Sequence, residues 1–135
     1  MKRKFFAAFL SLCMVMSLVP MTALAAEESW EEVSTAEGLS SALVTGGNIK
    51  LTKNITVMDA QAWTVGNGVK VVLDLNGYSI TSTYNQGNYY LFTVNGGSLT
   101  LNDSSETRTG KIEIQNASQS YPLHLRGTGS NFIMN

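Results

Sequence analysis

The sequence predicts an all-β protein in which short parallel strands wind into a right-handed β-helix of about three coils, closed at its N-terminal end by a short α-helix. An apolar-polar-apolar triplet recurs along the chain at intervals of 29 and 31 residues. A glycine-rich corner follows each copy, and a second alternating strand follows each corner. Recurrence at such a period is typical of solenoids, in which each unit buries its apolar face only by stacking on its neighbours.

Residues 1–25 have the three parts of a secretory signal peptide. The basic segment "MKRK" comes first, an apolar run extends from Phe5 to Val19, and Ala23-Leu24-Ala25 matches the small-x-small cleavage rule. We therefore expect cleavage between Ala25 and Ala26 and secretion of the mature chain. The apolar run is too short to span a bilayer comfortably and no second one follows, so no membrane span is expected after cleavage.

The mature chain from Ala26 contains no cysteine, because Cys13 lies in the signal peptide. Without disulfides to support it outside the cell, it is more typical of a bacterial exported protein than of a small eukaryotic secreted domain. Removal of the first four residues leaves six basic against ten acidic side chains, a net charge of −4. This balance excludes a basic surface for nucleic acid or anionic lipid.

Residues 26–48 are predicted to form a leader and the capping helix. Ser34 and Glu37 fit the S-x-x-E capping box, in which each side chain accepts a hydrogen bond from the other residue's amide. Gly46 and Gly47 then supply a left-handed exit from the helix. Three apolar residues fall on one face at helical spacing and need a surface to cover: Leu39, Ala42 and Leu43.

The coils are predicted over residues 49–135, with three short strands in each. The anchor triplets are Trp63-Thr64-Val65, Phe92-Thr93-Val94 and Leu123-His124-Leu125. The strand after each corner has its apolar residues at Val71, Leu73 and Leu75, then at Leu99 and Leu101, then at Phe132 and Met134. A third strand precedes the last two anchors, around Ile80 and Ile112, with a weaker first copy at Ile55.

Parallel stacking accounts for this recurrence better than a β-sandwich does. Sandwich strands alternate direction through hairpins and need no repeat at about thirty residues. If each repeat is one coil, equivalent strands pair with the coils above and below, their apolar residues form continuous inward columns, and glycines allow the sharp corners. Parallel crossovers are overwhelmingly right-handed, which sets the hand of the coil.

Two longer segments carry a resemblance to known proteins. The order "STAEGLSSALVTGGNIKLTKNITV" followed by "VVLDLNGYSI" resembles the start of pectate-lyase-like right-handed β-helix proteins. The segment "LDLNGYSITS" with "FTVNGGSLTLNDSSETRTGKI" is similar to exported β-helix proteins of Gram-positive bacterial surfaces. The resemblance covers residues 33–135 and implies a bacterial cell-surface location and a helix that caps the solenoid. It leaves the activity open, because this fold carries lyases, hydrolases, adhesins and passive stalks.

No cluster of residues in the repeats predicts a catalytic, metal or cofactor site. By the same resemblance, enzymes of this fold bring carboxylates together on adjacent coils, with a basic residue in the lyases. Here the acidic residues fall at different positions of the repeat and are interpreted as solvated surface charges: Asp59, Asp74, Asp103, Glu106 and Glu113. His124, which aligns with the outward Thr64 and Thr93, is interpreted as a surface residue, and Arg108 and Arg126 as turn or surface residues.

Tyrosines are the outward-facing side chains whose chemistry suits ligand binding. Tyr84, Tyr89 and Tyr90 crowd the loop "TYNQGNYY", and Tyr121 lies nine residues after Ile112, as Tyr89 does after Ile80. Tyr89 and Tyr121 are therefore predicted to sit one above the other, one strand spacing apart. One interpretation is a sugar platform, with Asn85, Gln86 and Asn88 adding amide hydrogen bonds; the other is that the stacked rings simply rigidify a corner.

Taken together, these features predict a non-catalytic adhesin-like or stalk module of the cell surface, with a polysaccharide or a host glycan or protein as partner. The alternative is the N-terminal part of a polysaccharide lyase or glycoside hydrolase whose catalytic coils lie beyond residue 135. The last strand has no closing element after it, so further coils are expected at the C-terminus. Residues 26–135 alone are expected to aggregate or oligomerise through the unpaired end.

Overall fold

The structure, a computed structural model, describes residues 28–84, 87–115 and 119–135. The elements in chain order are β1 (Trp30–Val33), α1 (Ala36–Thr45), β2 (Gly47–Leu51), β3 (Ile55–Val57), β4 (Trp63–Val65), β5 (Lys70–Asp74), β6 (Ser79–Ser82), β7 (Tyr89–Asn95), β8 (Ser98–Asn102), β9 (Lys111–Ile114), β10 (Ser120–Arg126) and β11 (Asn131–Met134). The predicted signal peptide and its cleavage site at Ala25 and Ala26 lie outside the described residues.

The described strands form three sheets in which every pairing is parallel. Sheet A has the order β1-β2-β5-β8-β11, sheet B the order β3-β6-β9, and sheet C the order β4-β7-β10. From β2 onward the chain visits the three sheets in rotation, so each sheet receives one strand from each repeat. The prediction of an all-β protein built on parallel sheets is confirmed.

The pairing register follows the repeat intervals. In sheet C, Trp63 pairs with Phe92 and Phe92 pairs with Leu123, which confirms the intervals of 29 and 31 residues between the anchors. In sheet B, Ile80 lies between Ile55 and Ile112. Because a shift of one residue would turn every inward side chain outward, the apolar alternation fixes this register.

The core consists of columns of apolar side chains, each contributed by successive strands of one sheet. The main columns are Trp63, Phe92 and Leu123; Ile55, Ile80 and Ile112; Ile49, Leu73, Leu101 and Met134; and Val71, Leu99 and Phe132. Exposure rises along them: Leu73 is fully buried, whereas Met134 in the last strand is 73% exposed. The core is therefore covered at the first repeats and exposed at the last described repeat.

The corners between sheets C and A stack on one another through backbone hydrogen bonds. The amide of Ser98 donates to the carbonyl of Val69 at 2.8 Å, and the amide of Asn131 donates to the carbonyl of Gly97 at 3.0 Å. At Gly96, whose φ is +75°, a Cβ atom would lie 2.8 Å from the side-chain oxygen of Asn67 in the repeat before it. Glycine is needed there both for its backbone conformation and for this close approach.

Helix α1 begins one residue later than the capping box predicts. Its N-cap is Thr35, whose hydroxyl accepts from the amide of Gly38 at 3.0 Å. The predicted Ser34–Glu37 box is wrong, because with Thr35 as N-cap the third helical position is Gly38, which has no side chain to complete a box. The predicted buried face is confirmed at Leu39, Ala42 and Leu43; Gly46 and Gly47 have positive φ, 81° and 100°, but the ψ of Gly46 is −177°, so the exit is not the left-handed helical conformation.

The assignment of Thr35 as the N-cap predicts different effects for alanine substitution at the two adjacent hydroxyl residues, Ser34 and Thr35. We expect Thr35→Ala to lower the free energy of unfolding by about 1 kcal/mol, because the Gly38 amide loses its acceptor. The matched change Ser34→Ala is expected to cost less than about 0.5 kcal/mol. Urea unfolding followed by circular dichroism measures both. Equal losses for the two variants, or a larger loss for Ser34→Ala, would contradict the assigned cap.

Strand β1 is an element that the sequence analysis did not identify. Its residues Trp30, Glu31 and Glu32 are exposed and only Val33 is buried, so no apolar alternation marks it. It is held instead by parallel pairing with β2, in which Val33 lies opposite Leu51. The amide and hydroxyl of Thr52 both donate to the Val33 carbonyl, which ties the end of β1 to the first coil.

Candidate functional site

Strand β7 turns Tyr90 toward the outer surface of sheet C. Tyr89 and Leu91 are buried, Tyr90 between them is partly exposed, and Phe92 is buried directly after Leu91. Two consecutive inward residues interrupt the strict alternation of a strand, as a bulge does. The ladder with β10 is interrupted at Leu91 too, opposite Pro122, which has no N–H to donate.

Three aromatic rings meet on this outer surface, and we call Tyr90, Tyr121 and His124 the aromatic patch. The Tyr90 and Tyr121 ring centroids are 5.8 Å apart with an interplanar angle of 20°. The Tyr90 and His124 centroids are 4.2 Å apart, also at 20°. Tyr121 is 54% exposed, so the patch offers a ring to a ligand in solution.

The predicted stack of Tyr89 on Tyr121 is wrong by one residue. Tyr121 pairs with Tyr90, and Tyr89 pairs with Ser120. Counting from the isoleucines fails because Ile80 and Ile112 are 32 residues apart, whereas the anchors Phe92 and Leu123 are 31 apart. The loop before β10 is therefore one residue shorter than the loop before β7, and only the count from the anchors gives the correct partner.

Tyr84 and Tyr89 form a separate pair that belongs to the core. Their rings meet edge to face at 5.1 Å and 63°, Tyr89 is 6% exposed, and Tyr84 packs against the core cluster. The Tyr89 hydroxyl donates to the carbonyl of Gln61 in the coil before it. Burial raises the pKa of this hydroxyl and outweighs a hydrogen bond with Ser82, which lowers the pKa; Asp59 and Tyr84 make smaller contributions that raise it. Tyr89 is thus placed as a structural residue.

His124 is the site residue that sequence reasoning missed. It pairs with Thr93, and Thr93 pairs with Thr64, as the alignment predicts. Its ring is nevertheless stacked on Tyr90 rather than standing alone at the surface. The 31-residue interval contains this information, because it places Tyr121 beside Tyr90 and His124 three residues further along the same outer surface.

The amides predicted to assist binding are only partly described. Asn85 and Gln86 lie outside the described residues. Asn88 is exposed, with a φ of 59°, and its backbone amide donates to the carbonyl of Gln119 at 2.9 Å. It therefore joins the loops before β7 and β10, on the approach to the aromatic patch.

Asp74 is a buried corner residue, so its interpretation as a solvated charge is wrong. It is 2% exposed and accepts from the amide of Asn76 at 2.9 Å and from the amide and hydroxyl of Ser104 at 2.9 and 2.6 Å. Lys50 approaches its carboxylate at 3.8 Å. The carboxylate thus holds its own turn and the start of the following loop, thirty residues later in the chain.

Asp103 binds the backbone of its own loop and of a neighbouring turn in the same way, one repeat further along the chain. Its carboxylate accepts from the amides of Gly77, Ser105 and Gly110 at 2.8, 3.1 and 2.6 Å and from the Ser105 hydroxyl at 2.7 Å. Burial by itself raises the pKa of Asp103, but these four hydrogen bonds outweigh it and hold the pKa below its usual value. The partly buried Asp103 is therefore also not a solvated charge.

The other charged residues match the interpretation as surface or turn residues. Arg108 is exposed in a turn with a φ of 47°, and Arg126 is exposed at the end of β10. Asp59 and Glu106 are exposed, and Glu113 forms a surface ion pair with Lys111 at 2.8 Å. In residues 28–84, 87–115 and 119–135, no three His, Cys, Asp or Glu side chains are grouped so that they could hold a metal ion.

Two further findings concern membrane-spanning helices and similarity to known proteins. Within the described ranges, no helix has both the length and the apolar character needed to cross a membrane. No protein-family model, curated protein or solved structure matched the chain.

Proposed function

We propose that this chain is a secreted, non-catalytic module of the bacterial cell surface that binds glycans through its aromatic patch. We also propose that its three sheets are the walls of a right-handed parallel β-helix. The rotation of the chain through sheets A, B and C supports the coil, since each crossover joins strands that are parallel. The general rule for parallel crossovers supports the right hand.

The exposed, stacked aromatic patch is the observation that carries the proposed activity. An aromatic ring with a hydroxyl beside it offers an apolar face to the C–H groups of a pyranose and a hydrogen-bonding group to its hydroxyls. Tyr121 provides such a ring at 54% exposure, and it stacks on Tyr90, whose own ring is stacked on His124. A ring that is already ordered loses little side-chain entropy when a ligand binds.

Two other features support the non-catalytic and extracellular parts of the proposal. The oxygens of Asp74 and Asp103 are occupied by backbone amides and serine hydroxyls, which is the arrangement of a turn brace rather than of a general acid or base. The basic n-region, the apolar run and the Ala23-Leu24-Ala25 site support export.

The test is glycan binding by the mature chain and by two variants of Tyr121. A glycan array identifies a ligand, and titration calorimetry then measures the dissociation constant. We expect Tyr121→Ala to weaken binding about tenfold or more, because it removes the exposed ring. Tyr121→Phe, which keeps the ring and removes the hydroxyl, is expected to retain most of the affinity.

Thr100→Ala, a polar change on the outer surface of sheet A, serves as the control and is expected to leave both binding and melting temperature unchanged. If the mature chain binds no glycan on the array, the proposal fails. It fails equally if Tyr121→Ala binds as tightly as the parent while the two have the same melting temperature. In either case the patch only rigidifies the surface of sheet C.

A further inference from the structure

Tyr90 and Tyr121 of the aromatic patch are direct partners across two parallel strands, β7 and β10. Side chains at paired positions of parallel strands leave the sheet in the same direction, about 4.8 Å apart. The two rings accordingly lie side by side, with centroids 5.8 Å apart and an interplanar angle of 20°. Because both side chains start from paired positions and point the same way, like atoms are neighbours, including the ring carbons ortho to the two hydroxyl groups.

The pair is accessible on the outer surface of sheet C. Tyr90 lies on β7, which is the central strand of this sheet, between β4 and β10. It is partly exposed with both neighbouring strands in place. A reagent in solution can therefore reach the pair through Tyr90 itself.

The other tyrosine pair, Tyr84 and Tyr89, has the opposite properties. Its rings meet edge to face at 5.1 Å and 63°, so their ortho carbons do not lie side by side. Tyr89 is 6% exposed, and its hydroxyl donates to the carbonyl of Gln61. Burial also raises the pKa of Tyr89, which keeps this phenol protonated and harder to oxidise. The outer pair and the buried pair thus differ in both geometry and access.

A covalent link within the outer pair would join two successive repeats. Tyr90 and Tyr121 are 31 positions apart, and a link that closes a segment of this length restricts the unfolded chain, as a disulfide does. Residues 28–135 contain no cysteine, so no disulfide can join the repeats that the structure describes. Oxidising conditions are typical of the extracellular space, where the proposed function places the chain.

We propose that Tyr90 and Tyr121 are an oxidative cross-linking site, at which a haem peroxidase supplied with hydrogen peroxide forms dityrosine between β7 and β10. Each phenol loses one electron to the oxidant and its hydroxyl proton to water. The two phenoxyl radicals form a carbon–carbon bond between their ortho carbons, and the hydrogens on those carbons then move to the phenol oxygens. Hydrogen peroxide is reduced to two molecules of water, and the protein loses two hydrogen atoms. The proposal does not depend on glycan binding.

Peptide mapping of the oxidised mature chain tests the site. The chain is treated with peroxidase and hydrogen peroxide at low protein concentration, and the monomer band of a denaturing gel is digested with trypsin. Tyr121 then lies alone on peptide 112–126, and the other four tyrosines lie on peptide 71–108. We expect the main product to be these two peptides joined, lighter than their sum by two hydrogen atoms. Tandem mass spectrometry is expected to place the link at Tyr90 and Tyr121.

Phenylalanine variants identify the partners, because they keep the rings and remove single phenols. We expect Tyr90→Phe and Tyr121→Phe each to lose the joined peptide. Tyr84→Phe removes a phenol of the buried pair and is the matched control, so it should form as much joined peptide as the parent. Thermal melts of the three variants check that each still folds.

Four results would overturn the proposal. One is coupling mainly within peptide 71–108, and another is coupling mainly between two chains, seen as a dimer band on the denaturing gel. The third is a joined peptide that persists in Tyr90→Phe. The fourth is a parent chain that forms no dityrosine under conditions in which N-acetyltyrosine couples, as measured by dityrosine fluorescence. None of these measurements involves a glycan, so each outcome is independent of the test of the proposed function.

Discussion

Replacing Gly97 by alanine is expected to lower the free energy of unfolding by about 3 kcal/mol or more, or to abolish cooperative folding. A Cβ atom at this position would lie 2.4 Å from the carbonyl oxygen of Gly66 and 2.8 Å from that of Val69, both in the repeat before it. Neither oxygen can withdraw freely. The Gly66 carbonyl accepts from the Val69 amide, and the Val69 carbonyl accepts from the Ser98 amide.

Gly66→Ala is the matched control for this prediction. Gly66 lies in the equivalent corner of the preceding repeat and has no positive φ. A Cβ atom there would have no neighbouring atom within 4 Å. Its replacement is expected to change stability by no more than about 0.5 kcal/mol. Thermal unfolding followed by circular dichroism measures both variants. If Gly97→Ala melts within a few degrees of the parent, the two corners do not stack as closely as described.

Asp103→Ala is expected to lower the free energy of unfolding by about 2–3 kcal/mol and the melting temperature by about 10 °C or more. The change leaves the amides of Gly77 and Gly110 without their acceptor, and it disconnects the turn after β5 from the loop before β9. Asp103→Asn is expected to be nearly as unstable as Asp103→Ala. Whichever way the asparagine amide is turned, its NH₂ group faces a backbone N–H and cannot accept its hydrogen bond.

Glu106→Ala is the control in the same loop, since Glu106 is exposed, and it is expected to change the melting temperature little. Chemical denaturation of the three variants and the parent measures the differences. A loss in Asp103→Ala no larger than in Glu106→Ala would show that the carboxylate does not brace the two loops.

The lowered pKa of Asp103 also predicts acid sensitivity. A carboxyl group whose pKa is lower in the folded than in the unfolded state stabilises the fold at pH values above its unfolded-state pKa. This stabilisation is lost as the pH falls through the folded-state pKa. We therefore expect a loss of stability below about pH 4 that is smaller in Asp103→Asn than in the parent. Melting temperatures between pH 7 and pH 3 provide the test, and identical slopes in the two proteins would contradict it.

The strands from β2 onward and their pairing were predictable because the information is repeated locally. In each repeat, the anchor and the strand after the corner have their apolar residues on one side. The same pattern returns in the next repeat. The pairing of Trp63 with Phe92, and of Phe92 with Leu123, follows from the spacing alone. The buried face of α1 was predictable for the same reason, since Leu39, Ala42 and Leu43 follow the period of a helix.

The tertiary structure decided those features whose partners lie one repeat away. The sequence suggests solvated charges at Asp74 and Asp103, because part of what binds each carboxylate is distant in the chain: Ser104 lies 30 positions from Asp74, and Gly77 lies 26 positions from Asp103. The tyrosine stack likewise depends on loop length: the loop before β10 is one residue shorter than the loop before β7, which sets Tyr121 beside Tyr90 rather than Tyr89. The alternation of a strand determines which side chains face the core, but the lengths of the loops determine which outward side chains meet.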